Sequence, residues 1–157
     1  MTKVLATLKP TLPRRILAAG TLAFLGALLI ALTLTQPPAG VLPKLALPLI
    51  AALCLYRAMK IWRATERALE LHENGLFDQN GELLVAMDNI ASVDRSLFAF
   101  KPANGFLIRT REPVPRGWTP GLWWRFGRRL GIGGVTPPGA AKQMADIIAV
   151  LLQRRDA

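Results

Sequence analysis

The chain has one cysteine, Cys54, and one histidine, His72. A lone thiol excludes an internal disulfide, and one imidazole apart from it excludes the four-ligand zinc sites built from Cys and His. Cys54 sits among Leu and Tyr and reads as a small apolar packing residue. Acids are absent from the first 65 residues, Glu66 being the earliest, so no proton or ion relay is written there and a self-sufficient transporter is disfavoured. Phosphate motifs are missing too. Gly131-Ile132-Gly133-Gly134 lacks the third glycine of G-x-G-x-x-G. Gly134 and Gly139 have P-loop spacing, but Ala140 follows instead of Lys, and Pro137-Pro138 removes N–H donors. Ser92, Ser96, His72, Asp88 and Asp94 supply the residue types of a triad without a nucleophile elbow around either serine. The chain therefore reads as non-enzymatic, with no cofactor and no metal.

What it has in quantity is apolar length. Ile16 to Thr35 is about twenty residues without a charge, and Val41 to Tyr56 follows after Gln-Pro-Pro-Ala-Gly, long enough to span if its helix extends to Trp62. At about 1.5 Å per helical residue, each can cross a hydrocarbon core of about 30 Å. A cleaved signal peptide is the main competitor for the first run, but a second run follows at once and no small-x-small site stands out near Thr33 to Gly40. A buried helix pair in a soluble core would not need so long an uncharged run. The expected organisation is a basic segment over residues 1–15, a transmembrane hairpin over 16–63 with spans at about 16–35 and 41–62, and a soluble domain over 64–157.

Charge placement orients the hairpin. Up to Arg67 there are nine Lys or Arg and one acid. Lys3, Lys9, Arg14 and Arg15 precede the first run, Arg57, Lys60, Arg63 and Arg67 follow the second, and the turn is uncharged. The positive-inside rule then expects a two-pass protein of the inner (cytoplasmic) membrane with both termini cytoplasmic. Lys44 opposes the pattern, but its stem lifts the ammonium to the interface. A net charge of +10 would ordinarily suggest nucleic acid; because most of the excess flanks the apolar runs, no nucleic-acid partner is expected.

Ala19, Ala23, Ala27 and Ala31 recur at every fourth position and so share a face of the first helix. Small residues allow close approach in lipid. Packing against Ala46, Ala51 and Ala52 of the tethered second helix is the favoured reading, and a homo-oligomer contact is the alternative. Pro48 should kink the second helix or remove one backbone bond.

From Ala64 the texture changes to short segments between turns. Leu69 to His72 alternates as a strand, with His72 toward solvent, and ends at Glu73-Asn74-Gly75. Leu76 to Asp78 and Glu82 to Met87 flank Gln79-Asn80-Gly81, a hairpin signal because Asn-Gly accepts positive φ. Ile90 to Phe100 gives a strand pair or a bent strand with Val93, Leu97 and Phe98 inward. Phe106 to Arg111, Leu122 to Gly127 and Leu130 to Gly133 complete the β content. Thr136 reads as the N-cap of a last helix, whose stripe is Ala141, Met144, Ile148, Leu151 and Leu152.

Met87-Asp88-Asn89-Ile90-Ala91-Ser92-Val93 is similar to the turn into a strand found in bacterial pleckstrin-homology-like (PH-like) domain proteins, with Met87 in place of the aromatic. Gly131-Ile132-Gly133 before an Ala-rich helix also resembles small membrane-anchored members. The resemblance covers roughly residues 64 to 155. It implies an α+β membrane protein whose hairpin is followed by a small, partly open β barrel capped by a C-terminal amphipathic helix, of the kind that binds lipids or peptides, and it implies no reaction.

Charge within the soluble part is blocked. Residues 68–94 hold six acids and no Lys or Arg, whereas residues 95–129 hold eight basic residues against Glu112. The basic block also holds Trp118, Trp123, Trp124 and Phe126. Trp123, Trp124, Arg125, Arg128 and Arg129 are the candidate contact residues for anionic lipid headgroups or a protein partner at the inner leaflet. The competing reading puts Trp124 and Phe126 inside the barrel, with the arginines merely solvated or paired with acids. A second functional reading is an accessory or assembly subunit packed against a larger membrane protein complex.

Overall fold

The computed structural model describes residues 3–96 and 102–157 and folds them as two compact units. One is the hairpin Leu12–Arg63, and the other is built from the chain on both sides of it.

The hairpin consists of α1 (Leu12–Thr35) and α2 (Val41–Ala64). Both are long and apolar enough to cross a membrane, with mean hydropathies of 2.3 and 1.6. Only 11% of each apolar stretch is buried, whereas a core helix of a soluble protein is mostly buried. The α1 seam runs through Arg15, Ala19, Leu22, Gly26, Leu29 and Thr33, and the α2 seam through Leu47, Ala51, Cys54, Ala58 and Ile61. Both alternate steps of four and three, the repeat that keeps two helices in contact along their length. At Gly26 an added Cβ would lie 2.9 Å from Leu55 Cγ and 3.1 Å from the Ala51 carbonyl, so the close approach requires glycine.

The alanine row divides accordingly. Ala19 is buried in the seam, Ala23 is half-buried, and Ala27 and Ala31 are exposed, as is Ala52. Strict four-residue steps advance about 40° each around the helix and leave the seam within a few turns. Helix α2 continues through Pro48, whose missing N–H leaves the Lys44 carbonyl without its helical donor. Where α1 starts and α2 ends, the Arg15 guanidinium lies 4.5 Å from the Trp62 ring centroid and donates to the Trp62 carbonyl at 3.0 Å.

Among the described residues the second unit contains nine strands: β1 (Val4–Leu8), β2 (Leu69–His72), β3 (Gly75–Asp78), β4 (Leu83–Ala86), β5 (Ile90–Asp94), β6 (Phe106–Thr110), β7 (Gly117–Thr119), β8 (Trp123–Phe126) and β9 (Arg129–Ile132). A single helical turn covers Met87–Asn89, and α3 spans Pro138–Asp156. The strands form two antiparallel sheets, ordered β1-β2-β3-β4 and β5-β6-β9-β8-β7. Among the described residues no strand pairing joins the two sheets, so the expected barrel is not closed. Helix α3 packs on β1, β5 and β6, and its stripe Ala141, Met144, Ala145, Ile148 and Leu152 is buried in one core with Leu8, Leu71, Phe106, Ile108 and Ile132.

Several expectations are corrected. The N-terminal segment is not merely a basic flank: Val4–Leu8 pairs with Leu69–His72, and Leu8 is fully buried. Five residues before a helix carry too little pattern to announce a strand whose partner lies beyond the hairpin. Thr136 does not cap α3; Pro137 holds that position, and the buried Thr136 hydroxyl donates to the Asn104 carbonyl at 3.4 Å. Arg155 donates to the Met87 and Ile90 carbonyls at 3.1 Å each, which ties the end of α3 to the helical turn. His72 lies on the face opposite Leu71, but its side chain is only 14% exposed and meets Phe77 edge-on. Leu97 and Phe98 lie outside the described residues.

Candidate functional site

Side chains alternate across a strand, so the register of the second sheet assigns each residue to one of two faces. Toward the core, one cross-strand row runs Val93, Ile108, Leu130, Arg125, and the next runs Phe106, Ile132, Trp123. On the outer face one row runs Asp94, Leu107, Gly131, Trp124, Trp118, and its neighbour runs Ser92, Arg109, Arg129, Phe126.

This alternation splits the five candidate residues. Trp123 and Arg125 point inward, at 5% and 8% exposure, and are not available to a lipid or partner. Arg125 instead links the sheets. Its Nη2 lies 2.7 Å from Glu82 Oε1, its Nη1 donates to the Leu83 and Leu84 carbonyls at 3.2 and 3.4 Å, and its guanidinium lies 4.8 Å from the Trp123 ring centroid. Trp124, Arg128 and Arg129 remain on or beside the outer face. The competing idea that Trp124 and Phe126 fill the interior is corrected by the same register: Phe126 is 61% exposed and Trp124 is half-buried on the outer face.

Trp124 lies flat on the sheet over Gly131, where an added Cβ would come 2.3 Å from the indole Nε1. Trp118, its cross-strand neighbour on the edge strand, is 60% exposed. Arg116 places its guanidinium 5.3 Å from the Phe126 ring centroid.

Beside the Ser92, Arg109, Arg129, Phe126 row, on its side away from Trp124, lies a shallow groove of about 520 Å³, lined by those four residues with Thr110 and Arg128 among others. Arg109 Nη2 is 3.6 Å from Asp94 Oδ2. No ion pair to Arg128 or Arg129 is found among the described residues. Three of the six acids of the first half are engaged elsewhere: Asp78 with Arg67, Glu82 with Arg125, and Glu70 with His72. The groove is thus a cationic concavity edged by the Phe126 ring, suited to an anion with an apolar neighbour.

Arg109 and Arg116 join this site without having been singled out in the sequence. Alternation with Phe106 and Ile108 puts Arg109 on the outer face, but only the β6–β9 register brings it against Arg129. Among the described residues no group of three or more His, Cys, Asp and Glu side chains could hold a metal ion. No protein-family model, curated protein or solved structure matches the chain.

Proposed function

We propose that the chain is a non-enzymatic binding module, anchored in the inner membrane by its two-pass hairpin, whose cytoplasmic PH-like domain contacts anionic lipid or a protein partner at the inner leaflet. The observation that carries this reading is the outer face of the second sheet, where Arg109, Arg128 and Arg129 line one groove with Phe126, and Trp124 lies in the neighbouring row of the same face. Arginines near an anionic leaflet are worth about 1 kcal/mol each, and Trp favours the headgroup zone. The pairing of β1 with β2 supports the topology, because it keeps both ends of the hairpin on one side, as a two-pass arrangement requires. The basic flanks Arg14, Arg15, Arg63 and Arg67 favour the cytoplasm for that side.

Full-length protein in a zwitterionic detergent should capture phosphatidylglycerol-containing vesicles in preference to pure phosphatidylcholine vesicles. Capture should fall as added salt shortens the screening length. The double variant Arg128→Glu with Arg129→Glu should lose most of it. Equal capture of both vesicle types would overturn the lipid-binding reading.

An accessory subunit of a larger complex is the second reading, favoured by an open cleft of about 430 Å³ on the hairpin, lined by Ile16, Gly20, Ala23, Leu55, Met59 and Trp62. Co-purification of one membrane protein at fixed stoichiometry in mild detergent would establish it, and its absence would remove it.

A further inference from the structure

Arg109 and Arg129 occupy directly opposed positions on adjacent strands and the same face, an arrangement that destabilises a sheet when both residues carry like charge. Arg128 adds a third guanidinium to the same groove, and among the described residues only Arg109 of the three has an acidic neighbour, Asp94 at 3.6 Å. Elsewhere in this unit Arg67, Arg95, Arg111, Arg125 and Arg155 have carboxylate or carbonyl partners. A sheet that breaks the local charge rule at one spot, in a concavity, is shaped for an anion that neutralises more than one arginine.

We infer that this groove is a binding site for a phosphomonoester, with Arg109, Arg128 and Arg129 holding its terminal oxygens and the Ser92 hydroxyl at its edge. A terminal phosphate carries about −1.5 to −2 at neutral pH and presents three strong acceptor oxygens. A phosphodiester has one charge and two such oxygens, so it leaves one guanidinium without a partner. Planar guanidinium forks match phosphate oxygens in pairs, which an ammonium cannot do. Phe126, exposed at the end of the arginine row, offers an apolar surface to whatever carries the phosphate.

The inference rests on the anion-binding reading above and adds selectivity to it. Full-length protein in a zwitterionic detergent is presented with phosphatidylcholine vesicles doped with phosphatidic acid, a monoester, or with phosphatidylglycerol, a diester, at equal surface charge. Preference for phosphatidic acid is expected, and Arg129→Gln should weaken its capture about fivefold or more. Arg129→Lys keeps the charge but not the fork, so it should lose the preference while retaining phosphatidylglycerol capture. Inorganic phosphate distinguishes the sources: competition identifies a site for the free group, and lack of competition a site for the lipid-borne one. Equal capture of the two anionic vesicles, both above phosphatidylcholine, overturns the inference and leaves the parent reading standing. Capture no better than phosphatidylcholine overturns the parent reading itself.

Discussion

Arg109 and Arg129 face each other across β6 and β9 on the exposed side of the second sheet, a pair of like charges where a stability-driven sequence would place opposite ones. Replacing Arg129 by Thr removes the repulsion and installs a good strand former. The variant should be as stable as the parent or more stable by a few tenths of a kcal/mol, while anionic vesicle capture falls. Thermal unfolding in detergent beside a capture assay reads both; a clear loss of stability would show that Arg129 has a structural role.

Arg125 should behave in the opposite way. It is buried and binds Glu82 together with two carbonyls of the other sheet. Arg125→Ala leaves those acceptors without their donor and should cost about 2–4 kcal/mol. Exposed Arg128→Ala should stay within about 0.5 kcal/mol of the parent. Denaturant unfolding of the two variants side by side tests the contrast.

The hairpin seam predicts an asymmetry between adjacent positions. Gly26→Leu drives a side chain into Leu55 and the Ala51 carbonyl and should separate the helices, with a cost of about 1–3 kcal/mol or more. Ala27→Leu, one residue on and exposed, should be tolerated. Thermal stability of each variant in detergent distinguishes them, and equal effects would contradict the seam.

Leu8 tests whether β1 belongs to the folded unit. It is fully buried opposite Leu69, so Leu8→Ala should cost about 2–5 kcal/mol and expose the 64–157 segment to limited proteolysis. A merely basic leader would show no such effect.

Much of the local structure was legible. The Asn80-Gly81 turn, the strand Leu69–His72 and the buried stripe of α3 follow from alternation, positive-φ preference and helical period. The seam of the hairpin was not, because a visible row of alanines at four-residue spacing competes with a 3.5-residue repeat whose members differ in kind, from Arg15 to Gly26. The site was half legible. Composition marked a basic, Trp-rich stretch, but neighbours in sequence such as Trp123 and Trp124 lie on opposite faces, and a pattern of mixed polarity does not say which face is inward.

By itself the chain's order of residues determined two apolar helices with an uncharged turn, a following run of strands and turns, and a terminal amphipathic helix, since each depends on contacts between near neighbours. Tertiary structure alone decided that Val4–Leu8 completes the first sheet, that Arg125 turns inward to bridge the sheets, and that Arg109 meets Arg129. Those outcomes depend on the register between segments far apart in the chain, where shifting one residue exchanges the buried face for the exposed one.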